Sequence, residues 1–315
     1  MIKNSFLLFL LLLMVFPATA QNSNKVFHFL ELPVSARAAA LGGENISIVE
    51  DDLTMAVHNP ALLSYVSNKS LNLNYMSYIE GAKVGSAAYS RLLGTRSAWA
   101  VTAQYMDYGK MYETNDESTI LGEFSAKDIA IAGIYSYDLS DYWSGGVKIN
   151  LIYADYHEYN SFAIGSDLGL NYLNEDKGFS FSMVVRNLGG QIKTFEDKNE
   201  SLPVNVQVGV SQAFAHAPFR ISLTLNKLND WDGAVNKKLA NHVIIGADFL
   251  PTNNLYVSLG YNFGRADEMK IKDSAHGAGF SVGAGIQVKR FKLGMAYAKY
   301  HTSASSLLFN LAMVL

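Results

Sequence analysis

The sequence contains no cysteine, which excludes a disulfide scaffold, a thiolate zinc site and a lipid-modified N-terminal cysteine. Proline is scarce, at six residues, so neither a collagen-like chain nor a proline-rich linker fits. Charge is scarce as well: 17% of residues are charged, against about 25% in an average soluble domain. With 49% hydrophobic residues, this is not the composition of a disordered chain. The net charge of −3 gives no electrostatic footprint for nucleic acid, and no nucleic-acid partner is expected. Long apolar runs are missing everywhere but at the start.

That start reads as an export signal over residues 1–20. Lys3 supplies the positive charge, Phe6 to Phe16 is an unbroken apolar run, and Ala18-Thr19-Ala20 is the small-x-small pattern of a cleavage site. The run is too short to span a bilayer, which takes about 20 residues. The expected mature chain begins at Gln21, beyond the inner membrane.

The rest alternates with period two. In 204–214, Val204, Val206, Val208 and Val210 share one face and Asn205, Gln207, Gly209 and Ser211 the other. Phe219, Ile221, Leu223 and Leu225 alternate with Arg220, Ser222, Thr224 and Asn226. Such alternation marks strands with one apolar face. A soluble sandwich uses strands of about five or six residues, a membrane barrel tilted strands of about 9–11 with the apolar face outward. The strands here are long, and their second face is Gly, Ala, Ser and Asn. The predicted fold is therefore all-β: a 14-stranded transmembrane antiparallel barrel over 69–315. Its strands are 69–79, 83–92, 95–108, 127–138, 141–157, 160–174, 177–187, 204–214, 217–228, 241–251, 254–264, 278–289, 290–300 and 305–315. Connections after even-numbered strands are short, ending with Lys289-Arg290; long excursions at 109–126, 188–203, 229–240 and 265–277 follow odd-numbered ones. That parity predicts short periplasmic turns and long outer loops. Val206, Val208, Leu223 and Leu225 are expected against lipid, and Gln207 on a lumen face that tolerates polar change. Tyr105, Tyr108, Tyr142, Trp143, Tyr153 to Tyr159, Tyr261, Phe263, Tyr297 and Tyr300 are expected in two interfacial girdles.

Residues 21–68 have a different composition and are predicted as a short N-terminal helical plug, inside the lumen or across its periplasmic mouth, the alternative being an ordered periplasmic extension beside the barrel. Pro33-Val34-Ser35-Ala36-Arg37 and the alanines up to Gly42-Gly43 read as a short helix: Pro33 suits its first turn, alanine is the best helix former, and the glycines end it. A second short helix begins near Asp51-Asp52 and stops at Asn59-Pro60, because proline turns its predecessor away from helix.

These elements carry a resemblance. The Ser-Ala-Arg-Ala-x-Ala-Leu-Gly-Gly stretch after Pro33, the pair Asp51-Asp52, and His58-Asn59-Pro60-Ala61-Leu62-Leu63 resemble the start of the PorQ family. That family belongs to the outer-membrane part of the Bacteroidetes type IX secretion system. The Asn-Pro-Ala element and the strand pattern are also similar to the wider FadL-like barrel superfamily, which includes PorV. The resemblance implies a non-enzymatic subunit of the attachment complex in the outer membrane. It would sit in outer-membrane lipid as a single barrel within a hetero-complex, anchoring a PorZ-like protein beside a PorU-like sortase and a PorV-like shuttle. The alternative it leaves open is a FadL-like transporter of hydrophobic small molecules.

Motifs for chemistry are sparse, and neither catalytic residue nor cofactor is expected. Gly279-Phe280-Ser281-Val282-Gly283 matches an esterase pattern but lies within a strand rather than at a strand–turn–helix elbow. The histidines show no metal-binding spacing and no phosphate loop occurs. Glu50-Asp51-Asp52 has two readings, a cation site or an acidic helix start. Arg37 likewise either pairs with that triplet and locks the plug, or is an ordinary exposed arginine.

Overall fold

The computed structural model describes residues 25–115, 119–196, 199–231, 238–270, 277–300 and 304–315. The expected export signal lies outside these residues.

Fourteen antiparallel strands close into one barrel in sequence order, with the first paired to the last. They are β1 (Ser70–Ser77), β2 (Lys83–Leu93), β3 (Ser97–Thr114), β4 (Ile120–Asp138) and β5 (Trp143–Tyr156). Next come β6 (Tyr159–Asn174), β7 (Phe179–Lys193), β8 (Asn205–Ala213), β9 (Phe219–Leu225) and β10 (Val243–Thr252). The last four are β11 (Leu255–Asn262), β12 (Phe280–Val288), β13 (Phe291–Ala298) and β14 (Ser306–Val314). Closure runs from Ser70 opposite Val314 to Ser77 opposite Leu307 and leaves no edge within the wall. Each predicted strand is found, in order, and the main departures are at one end. There β3, β4 and β7 run on as strand into the stretches expected as loops 109–126 and 188–203. The other two excursions hold a short helix, α3 (Phe263–Glu268), and a 3₁₀ turn (Leu239–His242).

The two faces of the wall are opposite in character. On β5, Ile149 is 54% exposed, Asn150 2% and Leu151 46%. The same contrast separates Leu223 from the buried Ser222 and Thr224. An exposed apolar belt around a closed wall, with small polar residues inside, is the pattern of a barrel set in lipid. Most girdle aromatics do face out, among them Tyr105, Tyr142, Tyr261 and Tyr297. Three do not. Tyr300 is buried, and Tyr108 and Tyr156 turn inward to donate hydrogen bonds of 2.6 and 3.1 Å to the buried Asp128.

The interior is filled by the chain's own N-terminal segment. At the long-loop end, Lys25 pairs with Asp230 and Phe27 packs against Phe195. The chain then descends through α1 (Ala36–Ala40), α2 (Leu53–His58) and a 3₁₀ turn (Pro60–Tyr65). It reaches the short-turn end, where Leu315 N–H donates to the Lys69 carbonyl. The lumen is thus crossed from mouth to mouth.

Candidate functional site

The small inward residues of the wall form seats for this segment. Where α1 ends, a Cβ on Gly260 of β11 would overlap the backbone at Leu41 and Gly42. On the opposite wall, a Cβ on Gly146 of β5 would overlap the backbone of Pro60 and Ala61. Close approach of backbone to backbone requires glycine at both places. Ser281 belongs to the same seat: its hydroxyl donates to the Ala40 carbonyl at 2.9 Å and accepts from Gly42 N–H at 3.0 Å.

Local sequence sets the shape of the segment. Ser35 caps α1 by accepting from Ala38 N–H at 3.0 Å. Pro33 therefore lies two residues before the cap rather than in the first turn. Gly42 and Gly43 both have φ of +98°. Gly43 N–H donates to the Ala38 carbonyl at 2.9 Å and Gly42 N–H to that of Ala39 at 3.3 Å, a Schellman ending that a side chain would strain. Asp52 caps α2 through Thr54 N–H at 2.9 Å. Asn59 closes α2 and caps the turn after it, accepting from Ala61 N–H at 3.1 Å and donating to the Ile46 carbonyl at 2.8 Å. Pro60 fills the first position of that turn, where no N–H is needed.

The three adjacent carboxylates go to three different partners. Asp51 accepts from Ser67 N–H at 2.7 Å and pairs with Lys292 at 2.8 Å. Asp52 makes the helix cap. Glu50 alone meets Arg37, at 2.6 Å. Among the described residues no cluster of three or more metal-ligating side chains occurs.

Arg37 is the centre of the arrangement. It is 2% exposed, and its two terminal nitrogens donate to both oxygens of Asp248 on β10 at 2.8 and 2.9 Å. Arg220 of β9 bridges the same two carboxylates, at 2.9 Å to Asp248 and 2.9 Å to Glu50. Ser258 donates to Asp248 at 2.7 Å, and the Tyr256 ring lies 4.1 Å beneath the guanidinium. Two cations face two anions, so the buried group is neutral overall. Burial pushes Glu50 up, but Arg37 and Arg220 outweigh it and hold its pKa at about 2.

A second neutral set lies across the lumen. Arg186 of β7 donates to Glu44 at 2.9 and 3.1 Å and to the Leu30 carbonyl at 3.2 Å. Lys148 of β5 pairs with Asp167 of β6 at 2.9 Å and reaches the Val57 carbonyl at 3.3 Å. Burial raises Glu44, but Arg186 and His58 hold it at about 2, while burial lowers His58 below its usual value. These wall charges were not singled out from the sequence, although each interrupts the inward row of small residues. Gln207, expected on a lumen face that tolerates polar change, sits in the same packed interior, fully buried, with no open lumen beside it for a larger side chain. Between plug and wall a cavity of about 20 Å³ remains, lined by Val34 and Val57 of the plug and Ala88, Thr102 and Lys148 of the wall. That is room for about one water.

No family model and no curated protein sequence matches the chain. Solved structures match its fold. A Pseudomonas aeruginosa FadL homologue superposes with a TM-score of 0.56 at 9% identity, covering 89% of this chain and 97% of its own. The Pseudomonas putida toluene transporter TodX gives 0.52 at 12%, covering 89% and 97%. The fold is that of the FadL-like outer-membrane barrels. The CymD monoaromatic hydrocarbon channel gives 0.56 at 12%, covering 91% and 97%. Fourteen strands in a closed wall and an outward apolar belt are what this chain shares with them, and the likeness is one of fold.

Proposed function

We propose that this FadL-like barrel is a closed, non-enzymatic docking subunit of the outer membrane. The PorQ resemblance gives the complex: a type IX secretion attachment complex with PorZ-, PorU- and PorV-like partners. One observation carries the reading, the filled lumen. A segment seated on wall glycines is held by two neutral charge clusters, and the cavity between it and the wall beside Val34 and Val57, about 20 Å³, is far below the roughly 300 Å³ at which small-molecule pockets begin. A barrel so filled works through its exposed ends.

The comparisons weigh the other way. The matched structures include a toluene transporter and a monoaromatic hydrocarbon channel, and these favour a FadL-like transporter of hydrophobic small molecules over a secretion role. At 9–14% identity the likeness supports the fold alone. Transport by this barrel requires the plug to rearrange.

Two measurements on one preparation separate the readings. Tagged full-length protein extracted in mild detergent is expected to carry sortase-like and surface-anchored proteins with it, and the pure barrel to conduct poorly in planar bilayers. Loss of uptake of a hydrophobic compound on deletion of the gene, with no associated proteins, gives the transporter reading the better claim.

A further inference from the structure

At the short-turn end of the barrel the charge is unevenly placed. The β4–β5 and β6–β7 turns carry Asp141, Glu175, Asp176 and Lys177, and the β8–β9 and β10–β11 turns carry no lysine, arginine or carboxylate. On the remaining arc stand Lys69 before β1, Arg91 near the end of β2, Arg96 in the β2–β3 turn, and Lys289-Arg290 between β12 and β13. All five are exposed, and among the described residues none of them is paired with a carboxylate.

The arc spans the seam where the wall closes. The Arg290 carbonyl accepts from Val314 N–H at 3.2 Å and the Lys69 carbonyl from Leu315 N–H at 3.0 Å, so basic residues flank the end of β14 on both sides. Across β1, Leu71 faces Tyr89, and the same register carries Lys69 opposite Arg91. Like charges directly opposite each other on a strand pair repel. Inside the lumen Arg37, Lys148 and Arg186 each meet a carboxylate. Here the arc itself offers at most one, at the end of Leu315.

The position of these cations says what meets them. Ala88 and Ser90 are buried and Arg91 is exposed, which puts Arg91 on the lipid face of β2. It stands opposite Trp99, whose ring meets that of Tyr89 edge-on at 6.1 Å. The Arg96 guanidinium lies 5.3 Å from the centre of the Tyr137 ring and that of Arg290 5.4 Å from Phe291, both exposed on the outward face. Tryptophan and tyrosine mark the headgroup level of a bilayer. Cations beside them stand at the height of the lipid phosphates, which guanidinium groups bind with paired N–H donors.

We propose that this arc is a headgroup site for an anionic phospholipid: Arg91 and Lys69 meet its phosphate, and Arg96, Lys289 and Arg290 add positive charge on either side. The bound lipid offsets the repulsion at the closure of β14, β1 and β2 and holds the seam at this end. The inference stands apart from both functional readings above and needs only that the wall sits in lipid.

Lipid competition tests it. The purified full-length barrel is offered equal amounts of phosphatidylglycerol and phosphatidylcholine and its retained lipid is read by native mass spectrometry. Its unfolding temperature is measured in vesicles of phosphatidylcholine with and without phosphatidylglycerol. Retention of phosphatidylglycerol about tenfold over phosphatidylcholine is expected, with a higher unfolding temperature in the anionic vesicles. The double variant Lys69→Gln, Arg91→Gln should lose both effects and keep its heat-modifiable migration, while Lys177→Gln, on the acidic side, loses neither. Equal retention of the two lipids by the unaltered barrel, or a preference that survives in the double variant, overturns the proposal. If the double variant does not insert, salt decides with the unaltered protein: a preference that high salt leaves intact is not electrostatic and overturns it as well. Preference for lipid A over phosphatidylglycerol in the same competition makes an outer-leaflet lipid the ligand and overturns the phospholipid assignment.

Discussion

Arg37 shows how a buried charge is tolerated inside a membrane barrel. Its guanidinium holds one carboxylate from its own segment and one from the wall, and a second arginine completes the square. A pair of this kind adds little over a packed apolar substitute, but removing one member leaves charge buried without compensation, at a cost of about 3–5 kcal/mol. Arg37→Met leaves Glu50 and Asp248 sharing Arg220 alone. The expected result is a loosened plug in an intact wall: higher bilayer conductance and protease cleavage within 33–63, with the barrel's heat-modifiable migration unchanged. If conductance and cleavage match the unaltered protein, the Arg37 cluster does not hold the plug.

A strand of this protein has two faces with different tolerances. Val208 on β8 belongs to the lipid face, and an arginine near the bilayer midplane costs roughly 2–4 kcal/mol. Gly146 on β5 belongs to the seat of Pro60, where any side chain meets backbone. Val208→Arg is expected to lower the unfolding temperature of the barrel in detergent and lipid. Gly146→Val is expected to keep the barrel's unfolding temperature but make the plug protease-sensitive. Identical behaviour of the two variants would mean that wall and plug are one cooperative unit. The outward alternation was readable residue by residue. The length of β3 and β4 was not, because beyond the membrane both faces of a ribbon meet water and the apolar–polar contrast that marks a strand fades: Lys110, Tyr112 and Glu113 are all exposed.

The path of the segment gives the whole molecule a polarity. Lys25 stands at the long-loop end, while β1 begins at the short-turn end beside Leu315. If long loops face outward, the start of the plug is displayed at the cell surface and the Lys289-Arg290 turn faces the periplasm. Single cysteines at Lys25 and Lys289 test this with a membrane-impermeant label on intact cells, against the cysteine-free background the chain provides. Labelling at 25 and not at 289 is expected. The reverse pattern inverts the orientation.

The sequence by itself determined what depends on neighbours along the chain. Period-two alternation fixed strand number and which face meets lipid, since successive side chains must point to opposite sides. Gly42-Gly43, Asp51-Asp52 and Asn59-Pro60 marked ends of the plug's helices, because capping is completed within a few residues, while the start of the first helix at Ser35 rather than Pro33 was seen only in the structure. Tertiary structure alone decided which charges meet. Arg37 and Asp248 are separated by 211 positions, and Arg186 and Glu44 by 142. Their pairing follows from the register of a closed wall and the depth to which the plug enters it. The same closure decided that the glycines and serines of the inner face are not the lining of a channel but the seats of a segment, since their size states only how near something else can come.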